Sequence, residues 1–245
     1  MKKAAEKITT IEKLTEDGFE CLFDSNLIID FSPIMLTPDY WQKQGKIVGE
    51  AFGRGTTYFI EGTKQDWVLR HYFRGGLIGK IIRDSYIFTE IESTRAFKEL
   101  RLLETLVQHD MPAPKPVACR VKRSGLFYRA DLLTTRIESA KDLVGILQQT
   151  SIEADVWEDI GKMIKKFHQL GIYHHDLNSH NILLDVNNKS WLIDFDRGEQ
   201  REIEKTWQQA NLARLHRSFD KEKGKLKSFH WSEHDWSSLI AGYES

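Results

Sequence analysis

The chain has 245 residues, of which 40% are hydrophobic and 29% charged, and its formal net charge is -1. This composition predicts a folded globular protein, and the near-neutral charge argues against a nucleic-acid-binding protein. The two cysteines lack zinc-site spacing, no signal peptide follows Met1, and no stretch approaches the roughly 18 apolar residues of a membrane span, so we expect a cytoplasmic protein.

The first half of the chain is predicted to form mainly strands. Residues 19–31 alternate as one or two strands would, and Thr37 with Pro38 marks the start of a short helix. Two strands flank a glycine turn in residues 47–62, and residues 66–73 form another strand.

An amphipathic helix is predicted over residues 93–109, because hydrophobic side chains recur there at helical spacing. Proline-rich residues end this helix, and residues 118–135 form a hairpin that turns at Ser124 and Gly125. The strand-rich part of the chain ends near Thr135.

The second half is predicted to be mainly helical. Helices are expected over residues 140–149 and 154–170, and the charged segment 199–245 is mostly helical as well. The pattern therefore predicts an α+β fold with two lobes, residues 1–135 and residues 136–245.

The most specific pattern lies in residues 174–181, which match the H-x-D-L-x-x-x-N spacing of a kinase catalytic loop. Thirteen residues after Asn181, the second of two apolar strands ends at Asp194 and Phe195, in the place of a D-F-G motif. A hairpin of these two strands brings Asn181 and Asp194 to the same end of a sheet.

This arrangement suits phosphoryl transfer, in which positioning and metal ions carry most of the catalysis. The amide oxygen of Asn181 and the carboxylate of Asp194 are hard ligands for Mg²⁺. Asp176 lies between them in sequence and is expected to receive the proton of a substrate hydroxyl. For His174 we expect a packed, hydrogen-bonded histidine.

Residues before the catalytic loop also follow the order of kinase motifs along the chain. Gly53 and Gly55 fall between two strands, where a glycine loop covers phosphates, although a simple tight turn has the same composition. Arg70 occupies the place of the nucleotide-binding lysine, and Glu99 on the next helix is its expected ion-pair partner. The alternative for Glu99 is a solvated position on the helix.

With these motifs in view, the chain resembles the lipopolysaccharide kinases of the protein-kinase-like superfamily. The stretches that carry the resemblance are GRGTTYF, LRHYFRGGL-GK, TRAF-EL-LL, PAPKP, HHDLNSHNILL, WLIDFD and NLARLHRSFDKE, from about Gly53 to Glu222. The resemblance implies a bilobal kinase fold, with an antiparallel sheet and one helix in the N-terminal nucleotide-binding lobe and a mainly helical catalytic and substrate lobe.

The resemblance also implies a reaction. ATP is the expected donor, Mg²⁺ the metal, and a hydroxyl of 3-deoxy-D-manno-octulosonic acid (Kdo) on a lipid A precursor the acceptor. The implied nucleotide-binding residues are Gly53, Gly55, Arg70, Glu99, Asn181 and Asp194. The implied role is lipopolysaccharide core assembly by a peripheral protein at the cytoplasmic face of a Gram-negative inner membrane.

The sequence departs from the general kinase pattern in three ways. Arg70 replaces lysine, but arginine keeps the charge and can still grip a phosphate or Glu99. Asp196 replaces the glycine of D-F-G, which favours a fixed loop. No A-P-E motif follows, so a peptide-docking segment is not expected, and the acceptor is predicted to be small or lipid-linked.

Two stretches could contact an anionic membrane surface. Residues 72–83 mix aromatic, aliphatic and basic side chains, although an ordinary strand-to-helix connection has the same composition. Seven basic residues form a second patch, which could equally be a solvated helix face. They are Arg214, His216, Arg217, Lys221, Lys223, Lys225 and Lys227.

Two other functions remain open at this point. A kinase for a soluble small molecule, such as an antibiotic or an amino alcohol, would share Asp176, Asn181 and Asp194, but the basic stretches favour an anionic acceptor. A pseudokinase that binds nucleotide without turnover is suggested only by Arg70.

Overall fold

The computed structural model of the protein describes residues 9–53, 55–62, 64–73 and 84–245. The chain divides into two compact units, the first formed by residues 1–109 and 114–136 and the second by residues 110–113 and 137–245. Strands dominate the first unit and helices the second, so the predicted α+β class is confirmed.

An antiparallel sheet forms the body of the first unit. Its strands are β1 (Ile11–Glu16), β2 (Phe19–Asp24), β3 (Ile47–Phe52), β4 (Thr56–Ile60), β5 (Trp67–His71), β6 (Tyr86–Ile87), β7 (Pro116–Ser124) and β8 (Phe127–Thr135). Their order across the sheet is β1-β2-β7-β8-β5-β4-β3, and the short β6 also pairs with β8. The hairpin predicted at Ser124 and Gly125 is present as β7 and β8.

Only one strand forms in residues 19–31, and it stops at Asp24. The Asp24 carboxylate accepts hydrogen bonds from the backbone N–H of Asn26 at 3.0 Å and of Thr10 at 3.3 Å. An aspartate that binds the backbone two residues later forms a turn, which competes with further strand pairing.

A hydrophobic core lies on each face of the sheet. One face packs against α2 (Arg95–Gln108), through residues such as Phe97 and Leu100. The other face is covered by a short 3-10 helix (Pro33–Leu36) and by α1 (Pro38–Lys43). Because successive side chains of a strand point to opposite faces, Leu132 and Leu133 of β8 belong to different cores.

The second unit is mainly helical. Its helices are α3 (Leu143–Leu147), α4 (Ala154–Gln169), α5 (Lys205–Lys225) and α6 (Glu233–Glu244). Its short strands are β9 (Lys141–Asp142), β10 (Ile172–Tyr173), β11 (Ile182–Leu184), β12 (Ser190–Leu192) and β13 (Glu199–Gln200). β11 lies between β12 and β9, and β10 pairs with β13.

The helix predicted over residues 140–149 is shorter than expected. Lys141 and Asp142 pair with β11 as a strand, and α3 begins only at Leu143. The Asp142 side chain accepts a 2.7 Å hydrogen bond from the N–H of Gly145, so it caps the helix.

Helices α4 and α6 pack backbone against backbone. A Cβ added at Gly161 would lie 2.0 Å from the carbonyl oxygen of Leu239, and one at Gly242 would lie 2.0 Å from that of Glu158. Two glycines that face each other therefore permit this crossing, which any larger side chain would force apart.

Candidate active site

In the first unit, a buried carboxylate connects the sheet to α2. Glu99 points from α2 toward β5, and only 3% of its side chain is exposed. Nη2 of Arg70 lies 2.5 Å from Glu99 Oε1, so the predicted ion pair is present. The solvated alternative for Glu99 is therefore wrong.

Tyr72 also binds Glu99, a contact that was not predicted from the sequence. Its hydroxyl donates a 2.6 Å hydrogen bond to Glu99 Oε2, and the Arg70 guanidinium carbon lies 5.2 Å from its ring centroid. Burial, together with the neighbouring Glu99 charge, raises the pKa of Tyr72 well above its usual value. The hydroxyl thus stays protonated, and the carboxylate is held from two sides.

Gly53 and Gly55 lie in the turn between β3 and β4, whose middle residue, 54, is outside the described part of the chain. The N–H of Gly53 donates a 3.0 Å hydrogen bond to the carbonyl of Gly55, so this N–H serves the turn itself. A Cβ at Gly55 would lie 2.0 Å from the ring of Phe73, whereas a Cβ at Gly53 would meet no atom of the described residues beyond its chain neighbours within 4 Å. Packing therefore explains Gly55 but leaves open space beside Gly53.

In the second unit, His174 supports the loop from inside. It is 2% exposed, and its Nε2 donates a 3.0 Å hydrogen bond to the carbonyl of Ile193. Its ring lies 5.0 Å from that of Phe195, and burial lowers its pKa, which keeps the imidazole neutral. The expectation of a packed, hydrogen-bonded histidine is confirmed.

The loop that carries Asp176 is closed by two asparagine side chains. Both Asn178 and Asn181 donate from Nδ2 to the carbonyl of Asp176, at 3.0 Å and 2.9 Å. Asn178 Oδ1 in turn accepts from the N–H groups of His180 and Asn181. These bonds fix the main chain of Asp176, while 46% of its side chain remains exposed.

The hairpin of β11 and β12 brings Asn181 and Asp194 together, as predicted. Ile182 pairs with Leu192, and the N–H of Ile193 donates a 2.9 Å hydrogen bond to the carbonyl of Asn181. Asp194 then leaves the strand with φ of 62°, in the left-handed region that non-glycine residues seldom adopt.

The donor atoms of this hairpin end fit Mg²⁺. Asn181 donates its amide nitrogen to the loop, and its amide oxygen, like the carboxylate of Asp194, is a donor of the hard type that Mg²⁺ prefers. Backbone strain at a position such as Asp194 is often associated with a functional site.

Helix α5 contacts the catalytic loop through one polar face. Asn211 donates to the carbonyl of His174 at 3.1 Å, and Ser218 Oγ accepts from the N–H of Ser179 at 2.9 Å. Between them, Arg214 Nη1 lies 3.5 Å from Asp176 Oδ1. A catalytic role of this face was not predicted from the sequence, although its spacing of three and four residues is that of one side of a helix.

The last contact of this face involves His180. Its Nδ1 lies 3.1 Å from Asp142, and its Nε2 lies 3.8 Å from Glu222 of α5. The hydrogen bond to Asp142 is the main reason that the pKa of His180 is raised. The loop is therefore held between the start of α3 and the end of α5.

The two stretches considered for membrane contact have different outcomes. Of residues 72–83, those from 74 onward lie outside the described ranges. In the basic patch of 214–227, His216 lies between Asp220 and Glu233, and Lys225 pairs with Glu222. With Arg214, which contacts Asp176, three of the seven basic side chains therefore have acidic partners within the protein.

Two features define the kinase-like class of phosphotransferases. One is the ion pair of Arg70 and Glu99 between a sheet and a helix, and the other is the H-x-D-L-x-x-x-N loop that leads into the hairpin of Asn181 and Asp194. The model of the Lipopolysaccharide kinase (Kdo/WaaP) family matches residues 38–243 of the chain. The chain belongs to this family.

Similar proteins extend over nearly the whole chain. The 3-deoxy-D-manno-octulosonic acid kinase of Photobacterium profundum is 48% identical over 234 residues, which cover 96% of this chain and 98% of that protein. That of Vibrio vulnificus is 46% identical, covering 91% and 94%. That of Haemophilus influenzae is 40% identical, covering 95% and 99%.

Among the helices in the described ranges, none combines the length and the apolar character that a membrane crossing requires.

Proposed function

We propose that the protein transfers the terminal phosphoryl group of ATP to a hydroxyl of Kdo on a lipid A precursor, in lipopolysaccharide core biosynthesis. The observation that carries the proposal is the geometry around Asp176. Its main chain is fixed by Asn178 and Asn181, its carboxylate is accessible, and two hard oxygen ligands lie in the adjoining hairpin. The relatives named Kdo kinase, at 40–48% identity, support the choice of acceptor.

In this reaction the Asp176 carboxylate accepts the proton of the acceptor hydroxyl. The hydroxyl oxygen forms a bond to phosphorus, the bond from phosphorus to the bridging oxygen breaks, and ADP leaves. Asn181 and Asp194 would hold Mg²⁺, which would supply charge neutralisation at the phosphate oxygens. His174 acts only as a support, because it is buried and neutral.

The first unit would supply the nucleotide-binding residues. Arg70, held by Glu99 and Tyr72, presents a fixed positive charge suited to a phosphate. The open space beside Gly53 fits close approach of a phosphate to the backbone. We therefore propose that residues 1–135 form the nucleotide-binding lobe and residues 136–245 the catalytic and substrate lobe.

The function is tested with radiolabelled ATP, Mg²⁺ and two acceptors, a Kdo-bearing lipid A precursor and the same lipid without Kdo. We expect label only in the Kdo-bearing lipid, and chelation of Mg²⁺ should abolish it. Equal labelling of both lipids would rule out the Kdo assignment. Transfer to an aminoglycoside or choline instead would favour the soluble small-molecule kinase, and no transfer to any acceptor the pseudokinase.

Because lipid A precursors reside in a bilayer, we also propose peripheral attachment at the cytoplasmic face of the inner membrane. The tip of the β7–β8 hairpin supports this proposal. Ile87 pairs with Phe127, and Leu126 is next to them, with exposed fractions of 68%, 42% and 73%. The exposed cations Lys122 and Arg129 are cross-strand partners on the same hairpin. Apolar side chains next to cations suit an anionic headgroup layer.

We expect the purified protein to co-sediment with anionic liposomes at low salt and to be released in part at high salt. Changing both Leu126 and Phe127 to serine should weaken binding several-fold, since about 25 cal/mol per Å² of inserted apolar surface is lost. Ile203→Ser removes an aliphatic side chain that is 60% exposed elsewhere and serves as the control. Absence of co-sedimentation by the unmodified protein would contradict membrane attachment.

A further inference from the structure

On the polar face of α5, three residues position the catalytic loop, whereas the fourth, Arg214, contributes little to the stability of the fold. Asn211 is 1% exposed and Glu222 8% exposed, and both contact the catalytic loop. Ser218 accepts a loop N–H at 2.9 Å. These three residues position the loop, so their role is structural.

Arg214 differs from them. Its side chain is 45% exposed and that of its partner Asp176 46% exposed, and their closest atoms are 3.5 Å apart. An ion pair with this exposure contributes little to stability. In the described part of the chain this is the only side-chain hydrogen bond of Arg214, although a guanidinium has five N–H donors. Most of its donors therefore have no partner among the described residues.

The proposed acceptor has a group that matches these donors. Kdo is a sugar acid, and its carboxylate is ionised at neutral pH because carboxyl pKa values lie near 3 to 4. A guanidinium binds a carboxylate through two parallel hydrogen bonds. The acceptor hydroxyl must come within about 3 Å of Asp176 for its proton to be accepted, which brings the rest of the sugar close to Arg214.

Resting on the proposed function, we infer that Arg214 binds the carboxylate of the acceptor and so selects a sugar acid over a neutral sugar. The arginine orients the sugar with a hydroxyl toward Asp176. It also offsets the repulsion that the acceptor carboxylate would meet from the Asp176 charge.

The test is a double-mutant cycle between the protein and its acceptor. The unmodified protein and Arg214→Ala are each assayed with the Kdo-bearing lipid and with its carboxyl methyl ester. We expect esterification to raise the KM of the unmodified protein for the acceptor about 10- to 100-fold, as for loss of a hydrogen bond to a charged group. Arg214→Ala should raise the KM for the acid by a similar factor, and esterification should then have little additional effect.

Further measurements separate recognition from other roles. Arg214→Lys keeps the charge without the planar guanidinium. Its KM for the acid should therefore lie between those of the unmodified protein and Arg214→Ala, while its KM for the ester should equal that of Arg214→Ala. The KM for ATP should stay unchanged, and the thermal unfolding midpoint should remain within a few degrees of the unmodified protein. Lys205→Ala, which removes an exposed cation from the same helix, should leave all values unchanged.

If Arg214→Ala impaired phosphorylation of the acid and of the ester by the same factor, the inference would be overturned, because the arginine would then act on Asp176 or on the transferred phosphoryl group. A raised KM for ATP in that variant would also overturn it. In both cases the unmodified protein still phosphorylates the acid, and the proposed function stands. If the unmodified protein labels neither acid nor ester, the proposed function fails and the inference fails with it.

Discussion

Asp176→Asn should lower the kcat for phosphoryl transfer by about 10²- to 10⁴-fold, the usual contribution of a positioned general base. Asparagine has nearly the same shape as aspartate, but its amide oxygen does not accept a proton at neutral pH. The loop bonds to the main-chain carbonyl of residue 176 do not involve the side chain, so the fold should persist. ATP binding, measured with a fluorescent analogue, should remain near the unmodified value.

Asp159→Asn is a suitable control for Asp176→Asn. Asp159 is an exposed carboxylate of α4 in the same unit, and it pairs only with Lys162 in the described structure. We expect full activity from it. Retention of activity by Asp176→Asn as well would remove Asp176 as the catalytic base.

Glu99→Ala should lower the free energy of unfolding by about 3 kcal/mol, the cost of breaking a largely buried ion pair by removal of one partner. Arg70 would lose the Glu99 carboxylate, and the buried Tyr72 hydroxyl would lose the acceptor of its hydrogen bond. Because Arg70 is 25% exposed, water can satisfy part of the guanidinium, which keeps the expected loss at the lower end of the range. The KM for ATP should rise several-fold, since Arg70 is no longer held in place.

Urea unfolding and initial-rate kinetics measure both effects of Glu99→Ala. Glu99→Gln retains a hydrogen-bond acceptor but no charge, so its free energy of unfolding and its KM for ATP should lie between those of Glu99→Ala and the unmodified protein. Glu104→Ala removes a glutamate from the same helix that pairs with a partly exposed Arg101, and its effect should stay within about 0.5 kcal/mol. If Glu99→Ala matched Glu104→Ala in stability and KM, the proposed role of the buried pair would be wrong.

The catalytic loop and its hairpin were predictable because their geometry is local. Residues 174–181 form one continuous loop, and Asn181 is joined to Asp194 by two short strands whose pairing follows from chain proximity. Hydrophobic alternation and a short polar turn are enough to indicate such a hairpin. The pair of Arg70 and Glu99 was predictable for a different reason, the fixed order of strand and helix in kinases.

Tyr72 and α5 were not predictable in the same way. Tyr72 reaches Glu99 because it lies two residues after Arg70 on the same face of the sheet, but its sequence context resembles that of any strand tyrosine. The polar side chains of α5 have helical spacing, which from sequence alone indicates a solvent-facing surface as readily as a loop contact. Only the packing of α5 beside residues 174–180 decides between the two.

The short α3 illustrates the same limit. The composition of residues 140–149 favours a helix, but Lys141 and Asp142 instead form a short strand that pairs with β11. Tertiary pairing overrides a weak local preference, because intrinsic propensities are small per residue.

By itself, the sequence determined the α+β class, the catalytic loop and the two candidate metal ligands, since each depends on residues that are close in the chain. Tertiary structure alone decided that Tyr72 also binds Glu99 and that Arg214 lies beside Asp176. These features depend on contacts between residues 27 and 38 positions apart, and their formation is governed by the packing of whole elements.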